Sequence, residues 1–154
     1  MESAANSRTD QQLSSDLQRQ LEQMYVRTEH WISDFAFFED EIRFLITLMD
    51  KFFIGLLIND TARVEIIKSS AKKLVDLDKL RESIARENKA NLEYLAHILK
   101  NETAFDPEEF KDSQSDLEAD QADFLKQYKA LKKEIFDLGE HLSRLSKGGY
   151  LLTA

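Results

Sequence analysis

Apolar residues recur alternately three and four positions apart through the first third of this chain. Such spacing keeps one side of a helix facing a partner and is typical of bundle or coiled-coil packing. With a rise of about 1.5 Å per residue, the series predicts about 60 Å of helix. Its members are Leu17, Leu21, Met24, Thr28, Trp31, Phe35, Phe38, Ile42, Leu45, Met49, Phe52 and Leu56.

Cap residues predict where the first two helices begin and end. Thr9 and Gln12 fit a capping box, so we expect the first helix over residues 9–58. The three residues 59–61 are all good N-caps and favour a hairpin into a second helix over 61–100. One continuous helix through this point is the alternative.

The second helix carries a less regular apolar series. The spacing between Leu74 and Ile84 departs from the alternation and predicts a local change of winding. The series consists of Val64, Ile67, Ala71, Leu74, Leu77, Leu80, Ile84, Leu92, Leu95 and Ile98.

A third helix is expected over residues 107–147. Asp106 can cap it and Pro107 suits the first helical position, where a missing amide costs nothing. Gly148 and Gly149 are predicted to end it, because glycine adopts the left-handed C-terminal cap without strain. Its series is Phe110, Gln114, Leu117, Gln121, Phe124, Tyr128, Leu131, Ile135, Leu138, Leu142 and Leu145.

These elements predict an all-α fold, an elongated up-down-up bundle of three long antiparallel helices with coiled-coil-like packing. The chain has 4 Gly and 1 Pro, which is too few for the turns of a sheet protein. We expect one helical bundle domain over residues 9–147. A disordered N-terminal tail, residues 1–8, and a short apolar C-terminal tail, residues 148–154, flank it.

The far end of the first helix, Ile42–Ile58, is apolar around nearly its whole circumference. Two neighbouring helices cannot bury all of that surface, so either the C-terminal tail or a second copy of the chain must cover it. Dimerisation would complete a larger bundle. The predicted oligomer interface consists of Phe44, Leu48, Phe53, Ile54 and Leu57.

Polar residues at core positions predict a second feature, a polar core layer formed by Asn88, Asn91, Gln114 and Gln121. Buried amides that find partners fix the register of helices at some cost in stability. The alternative interpretation is a polar pocket that binds a small ligand between helices.

The net charge of −8 is distributed unevenly. The first half of the third helix is acidic and predicts a surface for a basic protein partner, formed by Glu108, Asp112, Asp116 and Asp120; an ordinary solvated face is the alternative. The second half is rich in lysine. The negative total opposes binding to nucleic acid and contact with an anionic membrane.

Candidate chemistry is sparse. The chain has no cysteine, and its three histidines are expected at different levels of the bundle, too far apart to share a metal ion. We therefore expect no metal, no cofactor and no enzymatic activity, and a cytoplasmic location. The leading hypothesis is a scaffold or adaptor that self-associates. The alternatives are a small-ligand sensor or carrier that uses the polar core layer, and a peripheral membrane-associated helical protein.

Overall fold

A computed structural model describes residues 14–53 and 61–153, which contain α-helix and no β-strand. Three long helices pack against each other, so the predicted all-α three-helix bundle is confirmed. The helices are α1 (Ser15–Leu48), α2 (Thr61–Leu99) and α3 (Pro107–Thr153), and a π-helical turn (Met49–Phe53) follows α1.

The chain divides into two compact units. Of the described residues, the first unit comprises 14–36 together with Ser83–Gln121, and the second comprises 37–53 and 61–82 together with 122–153. Each unit therefore contains a segment of all three helices and has its own packing between them.

Contacts within the units give the directions of the helices. The first unit holds both the start of α1 and the end of α2, and Leu21 packs with Leu95 and Ile98, so α2 returns alongside α1 as the predicted hairpin requires. In the first unit, Gln114 of α3 contacts Met24 of α1 and Glu118 contacts Arg27. These paired residue numbers rise together, so α3 runs parallel to α1.

The N-terminus of α1 uses a different cap from the one predicted. The Ser14 hydroxyl oxygen accepts a hydrogen bond from the Leu17 amide at 3.2 Å, and the helix begins at the next residue, Ser15. A serine in this position satisfies one of the amides that the first helical turn leaves unpaired. Thr9 and Gln12 lie outside the described residues.

The predicted change of winding in α2 is wrong. Buried residues alternate regularly because Ser70, Arg81 and Asn88 occupy core positions, whereas Leu80 is only half-buried. Between Leu74 and Ile84 the apolar series takes Leu80 in place of the buried Arg81, which made the spacing look irregular. The buried positions of the helix are Ile67, Ser70, Leu74, Leu77, Arg81, Ile84, Asn88, Leu95 and Ile98.

Helix α2 ends in a Schellman motif. Asn101 has a φ of 58°, the Glu102 amide donates to the His97 carbonyl at 2.9 Å, and the Asn101 amide donates to the Ile98 carbonyl at 3.0 Å. Asparagine tolerates this left-handed conformation better than most residues. The pairing of these carbonyls stops the helix and starts the connection to α3.

The predicted start of α3 is confirmed, and its predicted end is wrong. The Asp106 carboxylate accepts hydrogen bonds from the amides of Glu108 at 3.0 Å and Glu109 at 3.4 Å. The helix then continues through Gly148 and Gly149 to Thr153, with no glycine at positive φ among the described residues. Glycine in a helix costs about 1 kcal/mol relative to alanine, which weakens a helix without forbidding it.

Candidate interaction surfaces

The predicted oligomer interface divides between surface and core. Phe44 is 59% exposed and Leu48 is half-buried, both in the second unit. Phe53 is only 5% exposed, so its prediction as a surface residue is wrong. Ile54 and Leu57 lie outside the described residues.

Phe53 is buried because the π-helical turn brings it to a core position. A π-helix has more residues per turn than an α-helix. Phe53, four residues after Met49, therefore takes the core position that the apolar series assigned to the residue three after Met49. The ring lies against Gly139 of α3, where an added Cβ atom would be 2.7 Å from the Phe53 Cζ atom. Glycine at position 139 makes this close approach possible.

Three phenylalanines of the second unit are exposed, and we call them together the aromatic surface. Phe37 and Phe44 on α1 are 61% and 59% exposed, and Phe136 on α3 is 48% exposed. Phe37 and Phe44 are seven residues apart and therefore share one face of α1. Sequence reasoning missed Phe37 and Phe136. The seven-residue repeat of phenylalanine beside the core series was the available signal for Phe37.

An aromatic cluster in which Phe124 and Tyr128 are buried and Phe38 is half-buried packs beside the exposed Phe37 ring. The Phe38 ring lies 5.5 Å from Phe124 and 5.0 Å from Tyr128, and the rings of Phe124 and Tyr128 are stacked at 6.1 Å. The exposed Phe37 ring lies 6.1 Å from Phe38. Offset and edge contacts of this kind favour a fixed arrangement of the rings. The exposed Phe37 ring on α1 therefore lies beside a cluster to which α3 contributes two rings.

Lys132 connects the aromatic surface to a partly buried carboxylate. Its ammonium group lies 5.7 Å from the centre of the Tyr128 ring and 5.8 Å from that of Phe136, within the range of a cation–π interaction. It also forms an ion pair with Glu41 of α1. Lys132 thus links α3 to α1 beside Phe136.

Burial and charge shift two pKa values in this group. Burial opposes ionisation of Glu41, but the hydrogen bond and positive charge of Lys132, with a further contribution from the Tyr128 hydroxyl, favour it more, so the pKa of Glu41 lies below its usual 4.5. Burial, and then the Glu41 carboxylate, raise the pKa of Tyr128. The Tyr128 hydroxyl is near that carboxylate but has no well-aligned hydrogen bond within the described part of the chain.

Opposite charges flank the aromatic surface on its two helices. Asp40 lies three residues after Phe37 on α1, whereas Lys129 and Lys133 lie seven and three residues before Phe136 on α3. All three charged side chains are exposed. The carboxylate of Asp40 is therefore on the α1 edge and the ammonium groups of Lys129 and Lys133 are on the α3 edge, whereas the nearby Arg43 and Glu140 are paired within their own helices, with Glu39 and Arg144.

The polar core layer belongs to the first unit, where the structure brings its residues together in pairs. Asn88 and Gln121 exchange two amide hydrogen bonds of 3.4 Å each, and the Asn91 amide nitrogen donates to the Gln114 oxygen at 2.9 Å. Asn88 is fully buried and Gln121 is 8% exposed. Since buried amides need partners, these pairs favour one register of α2 against α3.

The predicted acidic surface is exposed in the first unit. Among the described residues none of its four carboxylates, Glu108, Asp112, Asp116 and Asp120, takes part in an ion pair. The neighbouring Glu118 instead pairs with Arg27 of α1 at 3.2 Å. Binding of a basic partner to this surface stays a prediction.

Histidines of the described chain lie on the surface. His30 and His141 are exposed, and His97, also exposed, pairs with Glu102 at 2.6 Å. No group of three or more potential ligands is arranged to hold a metal ion among the residues described. Within the same residues, no helix combines the length and hydrophobicity needed to cross a membrane.

Comparisons of this chain with known proteins give no match. No family model matches the chain, and searches of curated proteins and of solved structures give no significant match.

Proposed function

We propose that this chain is a non-enzymatic helical interaction protein that self-associates through the aromatic surface formed by Phe37, Phe44 and Phe136. The observation that supports this proposal is the exposure of the three rings, which ranges from 48% to 61%. Grouped apolar residues on a protein surface commonly mark an association site. Aromatic residues are also enriched where binding energy is concentrated in interfaces.

The charges beside the aromatic surface favour a second copy of the chain as the partner. In a two-fold symmetric dimer each copy presents the same surface, so the α1 edge of one copy can meet the α3 edge of the other. Asp40 would then face Lys129 or Lys133 of the second copy, and this contact would occur twice. Complementary charges of this kind fix the orientation of two partners more than they raise affinity.

Molar mass in solution tests the proposal. We expect the wild-type chain to be a dimer by light scattering coupled to size-exclusion chromatography. Phe44→Glu and Phe136→Glu should each give a monomer, because an interface that buries an unpaired carboxylate is strongly disfavoured. Both positions are about half-exposed, so circular dichroism should show an unchanged helical content.

Val75→Glu is the matched control. Val75 is 43% exposed on α2 of the same unit and lies outside the aromatic surface, so this variant should remain a dimer. A monomeric wild-type chain at every accessible concentration would contradict the proposal. Dimers of unchanged stability in both phenylalanine variants would contradict it equally.

A further inference from the structure

A half-open pocket of about 380 Å³ lies in the first unit, between the beginnings of α1 and α3. Small-molecule sites in proteins typically enclose about 300–1,000 Å³ and combine an apolar lining with few polar groups. The apolar part of the lining comes from Leu17, Leu21, Met24, Phe105, Pro107 and Phe110. Gln20, Lys111, Gln114, Ser115 and Glu118 supply its polar groups.

Gln114 is the polar residue buried in the wall of this pocket, with an exposed fraction of 5%. Its side-chain oxygen is occupied, because it accepts the hydrogen bond from Asn91. Its amide nitrogen has only the sulfur of Met24, at 3.0 Å, and a thioether is a weak acceptor. The amide nitrogen of Gln114 can therefore still donate a hydrogen bond to a ligand.

Lys111 adds a positive charge at the edge of the pocket. It precedes Gln114 by three residues, so the two side chains lie on neighbouring positions of one face of α3. The carboxylate of Glu118 is already paired with Arg27 at 3.2 Å, which reduces its repulsion of an anion. An acceptor atom that carries negative charge fits this arrangement better than a donor or a cation.

We propose that the pocket binds an aliphatic carboxylate of medium chain length. The hydrocarbon chain occupies the apolar lining, and the carboxylate accepts hydrogen bonds from the Gln114 amide nitrogen and the Lys111 ammonium group. This ligand site is in the first unit and does not depend on the aromatic surface of the second unit. It assigns the chain a carrier or sensor role beyond self-association.

Nuclear magnetic resonance titration with decanoate, below its micelle concentration, tests the site on the full ¹⁵N-labelled chain. We expect saturable shifts of the Gln114 side-chain amide and of backbone amides around Met24 and Phe110. Decylamine has the same chain length with a cationic head group, and we expect it to bind at least tenfold more weakly. Equal binding of the two compounds, or no shift with decanoate, would overturn the proposal.

Two variants separate the head-group contacts from apolar binding. Gln114→Leu and Lys111→Gln should each weaken decanoate binding at least tenfold, whereas Lys89→Gln, at an exposed lysine of α2 outside the pocket lining, should have no effect. Circular dichroism checks that Gln114→Leu folds; if it does not, the exposed Lys111 variant decides. Unchanged decanoate affinity in the folded variants would show that the pocket does not recognise a carboxylate.

Discussion

Ser70, Arg81 and Asn88 show how polar side chains can occupy the core of α2. Each has a polar partner: Ser70 donates to Glu134 at 3.0 Å, Arg81 to Asp78 at 2.7 Å, and Asn88 to Gln121 at 3.4 Å. Without such a partner, each buried polar group would cost about 1–3 kcal/mol of stability. A sequence shows residue polarity but not these pairings, which is why the apolar pattern of α2 looked interrupted.

Asn88→Leu tests the register role of the polar core layer. The substitution leaves the buried Gln121 amide without its partner, so we expect the free energy of unfolding to fall by about 1–3 kcal/mol. Urea denaturation measures this change. Because two apolar residues can replace a buried polar pair, the double variant Asn88→Leu with Gln121→Leu should recover most of the loss. A double variant no more stable than the single one would contradict the role assigned to this pair.

Glu41 predicts a pH dependence of stability. Its pKa in the folded protein lies below the ordinary value of 4.5, so the ionised carboxylate stabilises the fold above that pH. This contribution is lost as the pH falls through the lower pKa of the folded state. The wild-type chain should therefore lose unfolding free energy when the pH is lowered from neutral to below 4.5. In Glu41→Gln this loss should be smaller, and urea denaturation at the two pH values measures it.

Glu140→Gln is the control for the pH experiment. Glu140 pairs with Arg144 one helical turn away, and both side chains are more than half-exposed. Exposed pairs of this kind contribute little to stability. An equal effect of the two substitutions on the pH dependence would mean that Glu41 has no special part in it.

Helix ends were predictable where the residues have one strong preference. Asp106 followed by Pro107 identified the start of α3 correctly because both residues favour the same position. Gly148 and Gly149 were misleading, since glycine permits a helix end without requiring one. The end of α2 was less visible, because Asn101 adopts its left-handed conformation only with the Schellman hydrogen bonds around it.

Asn101→Ala tests the C-terminal cap of α2. The left-handed conformation costs alanine about 1–2 kcal/mol, so the free energy of unfolding should fall by about 1 kcal/mol relative to asparagine. Asn101→Gly should be as stable as the wild-type chain or more so, because glycine adopts this conformation freely. Thermal unfolding measures both, with Thr103→Ala in the same exposed connection as the control. Equal stability of the alanine and glycine variants would contradict the cap.

At the scale of the molecule, the sequence predicted three helices and their hairpin order correctly, but it misplaced part of the proposed interface. Phe44 is exposed as expected, whereas Phe53 is in the core because of a π-helical turn. The α3 contribution, Phe136, could not be inferred because the pattern of one helix does not show how its neighbour packs beside it. The aromatic surface therefore emerged only from the packing of α1 against α3.

The most direct test of self-association exchanges the charges at the two edges of the aromatic surface. In a symmetric dimer, position 40 of each copy faces position 133 of the other. Asp40→Lys puts two positive charges in each of these contacts, and Lys133→Glu puts two negative charges there. Each variant alone should therefore be mainly monomeric. When the two variants are mixed, each contact again joins opposite charges.

Molar mass by light scattering, measured for each variant and for the mixture, gives the answer. Self-association through this surface predicts monomers for the separate variants and a dimer for the mixture. Variants that dimerise alone as the wild-type chain does, or a mixture that stays monomeric, would contradict it.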